Sequence, residues 1–250
     1  MTGSWAGVAA GWAGSDPKRW LLAAAITLAF AAIGRGVRGV NATGAMAGAA
    51  AAFLILASVG LGGFAALGSV FVLASVATQL GYGHKQALGT AERKDGRSAG
   101  QVLANLGVAA VCAMGFAALG GRAWLVASMA ALAEAAADTV SSEYGQARST
   151  RARLITTWNV VPAGTDGAIT LAGTLAGVIA AALVATVCTL TGVIEARECA
   201  VVIVAAVAGL FADSYLGALV ERRGVLGNNG VNLLSTLAAA GVAAALARAL

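Results

Sequence analysis

Long apolar stretches separated by polar connections form the dominant pattern of this chain. Eight stretches are nearly free of charge, and each approaches the roughly 20 residues that an α-helix needs to cross the hydrocarbon core of a bilayer. They cover approximately 18–34, 42–59, 61–80, 101–120, 123–142, 167–190, 199–220 and 231–249. The pattern predicts an all-α fold, a polytopic transmembrane helix bundle of about eight helices in one domain over residues 18–250. Residues 1–17 are expected to form an interfacial N-terminal lead-in.

Composition supports the membrane interpretation. The chain is 59% hydrophobic and only 11% charged, with 34 Gly and a mean hydropathy of +0.84, which is typical of a polytopic membrane protein. The net charge of +5 does not indicate a nucleic-acid partner, because the basic residues lie in short loops where they orient the protein in the bilayer. The three cysteines lie in or beside apolar stretches without metal-type spacing and are expected to be packing residues.

The polar connections alternate between long and very short. The long ones, here called the elbows, cover 34–41, 81–100, 143–166 and 221–230, and they carry eleven of the sixteen Lys and Arg residues. The positive-inside rule places such connections in the cytoplasm and both termini outside. We therefore expect an integral protein of an inner or cell membrane whose active site lies on the cytoplasmic face.

Two apolar stretches end in the same acidic pattern. Ala137-Asp138-Thr139 recurs as Ala212-Asp213-Ser214, and each copy is followed by an elbow and by a turn-like box that opens the next apolar stretch. Those boxes are Gly164–Gly167 and Gly227–Asn232, and fainter boxes lie at Asp95–Ser98 and Asn41–Gly44. Repeats of this kind predict a bundle built from repeated helix pairs.

The acids at these helix ends are the candidate catalytic and metal-binding residues. An ionisable residue in a membrane helix is costly unless it faces a partner, an ion or a wet cavity, although a helix that simply ends in a polar loop is the alternative. Mg²⁺ takes one or two carboxylates plus water and phosphate oxygens, so we predict that Asp138 and Asp213 together hold a catalytic Mg²⁺. This requires their carboxylates to lie within about 10 Å of each other. Glu143 and Asp166 are second candidates for the same cluster, since a loop position explains Glu143 and a helix N-cap explains Asp166 almost as well.

Basic and polar residues at the elbows are the candidate substrate contacts. The elbow 81–100 contains four cations, Lys85, Arg93, Lys94 and Arg97, together with Gly81 and Gly83, which allow tight turns and close approach to a ligand. This combination predicts a phosphate cradle, although an ordinary positive-inside loop is the alternative. His84, the only histidine, is expected to be incidental, and Arg122 is expected to be an isolated charge on the other face. The remaining candidates are Asn105, Ser142, Thr165, Ser214, Asn229 and Asn232.

The phosphate-binding motifs of soluble proteins are missing from the sequence. It contains no Gly-x-x-x-x-Gly-Lys-Ser/Thr loop, no dinucleotide fingerprint between a strand and a helix, no Ser/His/Asp set and no zinc spacing. Any phosphate chemistry would therefore depend on carboxylate-held magnesium and on the basic elbows.

Five ordered motifs resemble a family of integral membrane proteins that includes transmembrane protein 19 of animals and the plant phytyl-phosphate kinase. The likeness runs from about residue 35 to the end, through motifs at 81–97, 137–145, 164–170, 212–218 and 228–232. The resemblance implies transfer of the γ-phosphate of CTP to a prenyl monophosphate of phytyl type, giving the diphosphate. The physical interpretation agrees, because two phosphate-bearing reactants repel each other and need magnesium and several cations between them.

Two other functions would use similar residues. A membrane transporter or lipid flippase could use the same acids as an ion site, but the outer connections are short and nearly bare, which disfavours transport. A cytidylyltransferase acting on a lipid phosphate would release diphosphate, whereas the kinase would release CDP. The expected partners are thus CTP, a prenyl monophosphate and the bilayer, and the sequence does not indicate an oligomeric state.

Overall fold

Long helices make up most of residues 17–249, which are the residues that the computed structural model describes. The helices are α1 (Pro17–Gly36), α2 (Ala42–Val59), α3 (Leu61–Gln79), α4 (Tyr82–Ala87), α5 (Ala99–Leu119), α6 (Arg122–Arg148), α7 (Leu171–Leu190), α8 (Ala196–Leu219) and α9 (Asn228–Ala247). Between α6 and α7 lie three short strands, β1 (Arg151–Leu154), β2 (Val160–Pro162) and β3 (Ala168–Ile169). A short 3-10 turn, Glu221–Arg223, follows α8. The expected lead-in over residues 1–17 lies outside the described residues, except for Pro17, which begins α1.

The prediction of an all-α polytopic bundle is confirmed. Every helix except α4 is long and apolar enough to cross a membrane, which gives eight candidate spans among the described residues. Three of the four predicted boxes open helices as expected, and in one of them Gly227 is the N-cap of α9. The Asn41 side chain accepts a hydrogen bond from the Gly44 amide at 2.9 Å at the start of α2, and Ser98 and Gln101 form a capping box at the start of α5.

Helix α6 forms the centre of the bundle. In its most apolar window 78% of the residues are buried, against 17% in α1, and it packs against α3, α5, α7, α8 and α9. Its sequence is rich in Ala, and small side chains let neighbouring helices approach closely in lipid. The outer helices instead expose large apolar side chains such as Leu171 and Leu190, as expected of surfaces that face acyl chains.

The connections gather at two ends of the bundle. At one, here called the polar end, the elbows contact each other: the Asn41 amide donates to the Arg97 carbonyl at 3.0 Å, and Gly164 lies against Thr90. At the other, here called the opposite end, the short connections meet, and Gly62 lies against Val193. The bundle therefore brings all the elbows to a single end.

The elbow after α6 is more ordered than predicted, and the predicted start of the next helix was wrong. Strand β1 pairs antiparallel with both β2 and β3, with Arg153 opposite Val160 on one side and Ile169 on the other. Helix α7 begins at Leu171 and not near residue 167, because residues 168–169 are extended in β3. Its N-cap is Thr170, whose hydroxyl accepts from the Gly173 amide at 3.0 Å.

Two further expectations need correction. Asp166 lies before β3 and caps no helix, so the N-cap explanation for this acid is wrong. Arg122 is not an isolated charge, because its guanidinium forms a two-point ion pair with Glu198 of α8, with Nε to Oε1 at 2.8 Å and Nη2 to Oε2 as the second contact. This pair ties α6 to α8 at the opposite end.

Candidate active site

A polar cavity of about 460 Å³ lies at the polar end. Its walls come from the start of α5, the end of α6, the strand-bearing elbow, the end of α8 and the start of α9. Most of the predicted site residues line it, namely Arg97, Asn105, Asp138, Ser142, Glu143, Thr165, Asp166, Asp213, Ser214 and Asn232. Residues far apart in the sequence thus share one chamber, whose volume lies within the range of small-molecule sites, about 300–1,000 Å³.

Asp138 and Asp213 meet at the inner side of this cavity. Their carboxyl groups, one from α6 and one from α8, line the same cavity and act on each other electrostatically. The two helices therefore bring both acids to one side of the cavity, as a shared ion requires. Asp213 Oδ2 is buried and receives no hydrogen bond from the described residues, and a buried oxygen without a donor is unfavourable unless a cation or water faces it.

Close helix packing brings the two acids together. Gly177 of α7 lies so near α6 that a Cβ there would stand 2.8 Å from the Ala137 carbonyl oxygen and 3.1 Å from Leu210 Cδ2 of α8. On α8, a Cβ at Gly209 would stand 2.5 Å from Glu134 Cγ. Only glycine fits at these two contacts, so the spacing of α6, α7 and α8 is set by backbone approach.

One helical turn deeper, Glu134 and Ser235 extend the polar cluster into the bundle. Glu134 is 1% exposed, and its Oε1 receives no hydrogen bond from the described residues. The buried Ser235 hydroxyl of α9 lies beside these acids and donates its hydrogen to the Asn232 carbonyl at 3.0 Å. The polar cluster therefore extends from α6 and α8 to α9.

The four predicted metal ligands do not form one four-carboxylate centre. Within residues 17–249, no group of three or more His, Cys, Asp or Glu side chains is arranged to hold a metal ion. The Asp138–Asp213 pair, with its unsatisfied oxygen beside a polar cavity, does fit a Mg²⁺ ion that takes its other ligands from water and phosphate. Glu143 and Asp166 line the same cavity outside this pair.

Glu143 is held by a buried lysine. Lys85 Nζ contacts Glu143 Oε2 at 2.5 Å and donates to the carbonyl oxygens of Ala77 and Thr78 at 3.1 and 2.7 Å. The Thr78 hydroxyl donates to the other Glu143 oxygen at 3.1 Å. An ammonium has three donors, and all three are used here.

Lys85 therefore does not face the polar cavity. Its side chain is fully buried, and it is absent from the lining of that cavity. The structure places Lys85 as a residue that positions Glu143 and that joins α4 to the end of α6.

Arg97 is the predicted cation that faces the acids. Its Nη1 donates to the Thr139 hydroxyl at 3.5 Å, its Nε lies 3.6 Å from Glu92 Oε2, and its charge acts on Asp138. Arg97 lines the polar cavity and also a second, apolar cavity beside it. Its guanidinium is thus at the boundary of the two chambers.

The other predicted residues of this elbow lie elsewhere. Arg93 and Lys94 line the apolar cavity, and a hydrogen bond from Arg93 lowers the pKa of the exposed Asp95 carboxyl. Gly81 has a φ of 61° and a Cβ there would stand 2.8 Å from the Ala147 Cβ, so this glycine permits approach to α6 and not to a ligand. Gly83 lies within α4 and lines neither cavity.

Several residues in or beside the polar cavity were not predicted. Glu92 accepts hydrogen bonds from the Gln101 amide at 3.2 and 3.4 Å, and Gln101 could have been found from the Ser-x-x-Gln spacing that opens α5. Ser235 lies three residues after Asn232 on α9, which places both on one helix face. Asn229, which was predicted, lies against Gly100 and not in the cavity lining.

Comparisons with known proteins bear on this arrangement. Residues 25–240 match the family model described as integral membrane protein DUF92. The chain is 39% identical over 172 residues to an uncharacterized membrane protein of Methanocaldococcus jannaschii, which covers 68% of this chain and 69% of that protein. It is 31% identical over 196 residues to an uncharacterized membrane protein of Synechocystis sp., covering 76% of each.

A plant protein is similar over a larger share of the chain. The chloroplastic protein VTE6 of Arabidopsis thaliana is 32% identical over 208 residues, covering 80% of this chain and 62% of VTE6. No solved structure matches the chain. The family match over residues 25–240 includes α5, α6, α8 and the start of α9, which line the polar cavity.

Proposed function

The chain belongs to the family of integral membrane proteins described as DUF92, and from this premise we propose that it is a membrane kinase. The proposed reaction transfers the γ-phosphoryl group of CTP to a prenyl monophosphate of phytyl type. The resemblance of five motifs to the family that includes the plant phytyl-phosphate kinase supports the reaction class, and the 32% identity to the chloroplastic protein VTE6 of Arabidopsis agrees with it. The archaeal and cyanobacterial relatives support membership without indicating a substrate.

The observation that carries the proposal is the meeting of Asp138 and Asp213 at the base of the polar cavity. Two carboxylates from different helices, with an oxygen that lacks a donor, suit a Mg²⁺ ion bound to phosphate oxygens. When bound, Mg²⁺ would neutralise charge on the transferring phosphoryl group. Asp138 and Asp213 would hold it at the inner side of the cavity.

The transfer itself needs orientation and charge compensation more than a strong base. An oxygen of the lipid phosphate forms a bond to the γ-phosphorus as the bond between that phosphorus and the bridging β-γ oxygen breaks, and CDP leaves. Arg97, at the boundary of the two cavities, is placed to reduce the repulsion between the two phosphate groups. The Lys85–Glu143 pair holds the end of α6, which forms part of the cavity wall.

We propose that the polar end faces the cytoplasm of an inner or cell membrane. The support is the excess of Lys and Arg in the elbows, since CTP would then have direct access to the cavity. Single cysteines at Ser149 and Gly192 on a cysteine-free background test this orientation in sealed vesicles. Reaction of Ser149→Cys only from outside would overturn it.

A labelling experiment tests the kinase proposal. Purified protein is incubated with phytyl monophosphate and Mg²⁺, and with CTP labelled on the α- or the γ-phosphate. We expect γ-label in the lipid product, release of CDP, and loss of transfer on chelation of Mg²⁺. Release of diphosphate with α-label in the lipid would identify a cytidylyltransferase, and the absence of transfer to any prenyl monophosphate would reject both reactions.

A further inference from the structure

A second cavity, here called the apolar groove, lies beside the polar one. It has a volume of about 470 Å³ and runs between α1, α2, α3 and α5, with Ala135 of α6 at its base. Along α3 its lining extends from Leu67 to Gln79, a length of about 18 Å at a rise of about 1.5 Å per residue. The groove thus extends from the polar end well into the bundle.

Three phenylalanines close one side of the apolar groove. Phe30 of α1 contacts Phe64 and Phe71 of α3 edge to face, with ring centroids 5.3 and 5.2 Å away. Phe30 and Phe71 are part of the lining, as is Leu67 at the deep end. A surface of aromatic and aliphatic side chains favours a hydrocarbon ligand.

The mouth of the apolar groove has a different character. Four cations line it at the polar end, Arg38, Arg93, Lys94 and Arg97. Arg97 also lines the polar cavity, together with Glu92, Gln101 and Asn105. The two chambers therefore share one wall, and a ligand with an anionic head and an apolar tail matches the groove and its mouth in both charge and polarity.

We infer that the apolar groove binds the chain of a prenyl monophosphate, with its phosphate at Arg97, and sets the longest chain that the enzyme accepts. This inference rests on the proposed function. It adds where the lipid binds and which residues limit the length of its prenyl chain. The volume is that of a site for one small ligand. A chain longer than the groove would have to leave it near Leu67 or displace Phe30.

Gly48 offers a way to shorten the groove. It lies on α2 in the lining, and a Cβ there would meet only Val102 Cγ1, at 4.0 Å, so a larger side chain can enter the groove without striking the backbone. Gly107 of α5 gives the matched control, because a Cβ there meets nothing within 4 Å and the residue lines neither cavity.

The first experiment compares Gly48→Leu with Gly107→Leu on two acceptors, phytyl monophosphate and the short isopentenyl monophosphate. We expect Gly48→Leu to lower kcat/KM for the phytyl acceptor by about ten-fold or more, because lost burial of two or more methylenes has that effect, while the value for the short acceptor changes less than two-fold. Gly107→Leu should alter neither. Equal losses on both acceptors, or no loss on the phytyl acceptor, would overturn the inference.

The second experiment does not depend on catalysis. A prenyl monophosphate with a photoreactive group at the far end of its chain should label peptides of α1 and α3 near Phe30 and Leu67. Such labelling in a protein that transfers no phosphate would support the groove and reject the kinase. Labelling elsewhere, or full competition by an ordinary phospholipid, in a protein that does transfer phosphate would reject the groove alone.

Discussion

Helix α6 makes a partly buried ion pair at each end of the bundle, and the two pairs have different surroundings. At the opposite end, Arg122 pairs with Glu198, which also accepts the Glu195 amide at 2.7 Å, and neither member of the pair lines either cavity. At the polar end, Glu143 pairs with Lys85 and forms part of the polar cavity. A buried charge pair alone therefore does not identify a functional site.

What distinguishes the polar end is charge that the protein does not compensate. Asp138 and Asp213 lie beside each other, and Asp213 Oδ2 has no donor among the described residues. Clustered acids of this kind are costly in a membrane protein and usually serve a function. The comparison predicts that substitutions at the two ends separate into those that change transfer and those that change stability.

The largest effect is expected at the acid pair. Asp138→Asn and Asp213→Asn keep the side-chain size but remove the charge, so each should lower transfer by at least about a hundred-fold, as for loss of a dominant electrostatic contact. The thermal unfolding temperature in detergent should stay close to that of the wild type. Initial rates with labelled CTP, together with a melting curve, measure both.

Glu195→Gln is the control for the acid pair. Glu195 forms a partly exposed pair with Arg197 at the opposite end, so its loss should leave transfer unchanged. Retention of more than half the rate in either aspartate variant would show that the pair does not serve the reaction.

The next effect tests whether Lys85 positions Glu143 or contacts phosphate. Lys85→Met leaves a buried carboxylate without its partner, and the free energy of unfolding should fall by about 3 kcal/mol. Combining Lys85→Met with Glu143→Met should restore part of that loss, because both charges are then removed. If Lys85→Met instead raised KM with no change in thermal stability, Lys85 would be a substrate contact.

A smaller effect is expected at the opposite end. Arg122→Met removes charge-assisted hydrogen bonds to Glu198 and should lower the free energy of unfolding by about 2 kcal/mol. Transfer per folded molecule should not change, because the pair is remote from both cavities. A loss of rate as large as that of Asp213→Asn would contradict the separation between the two ends.

The smallest effect is expected at Arg97, in the elbow 81–100 that contains α4. Arg97→Lys keeps the charge but loses the planar donor array, and it should raise KM for both CTP and the lipid by about ten-fold, as loss of one charge-assisted contact does. Arg151→Lys is the matched control, because Arg151 is exposed in β1 and lines neither cavity. Equal changes in KM in both variants would show that Arg97 does not contact the phosphate groups at the boundary of the two cavities.

The number and the approximate positions of the helices could be predicted because the length of each apolar stretch determines whether it can span a membrane. Each span needs a long apolar stretch, and only helices satisfy the backbone within lipid. The elbows were predicted less well, since their structure depends on contacts between distant segments. Strand β3 forms because residues 168–169 pair with β1, and no local pattern in Gly167-Ala168-Ile169 predicts it.

The candidate site was predicted in part for the same reason. Asp138 and Asp213 stood out because acids in apolar helices are rare, and their repeated context predicted that they would meet. The burial of Lys85 could not be read from its position in a Gly-rich elbow. It depends on Glu143, 58 residues away, and on carbonyl oxygens at the end of α3.

The glycine contact at residue 177 has a consequence for how the chain would tolerate sequence change. Helix α7 faces lipid over much of its surface, with Leu175 and Ile179 exposed, and there one apolar residue can replace another. At Gly177 even a methyl group would push on the Ala137 carbonyl, one residue from Asp138. In a saturation scan of α7, the lipid-facing positions should therefore accept most apolar residues, whereas Gly177 should accept no larger residue. The reason is that main-chain contact at Gly177 sets the distance between the two carboxylates.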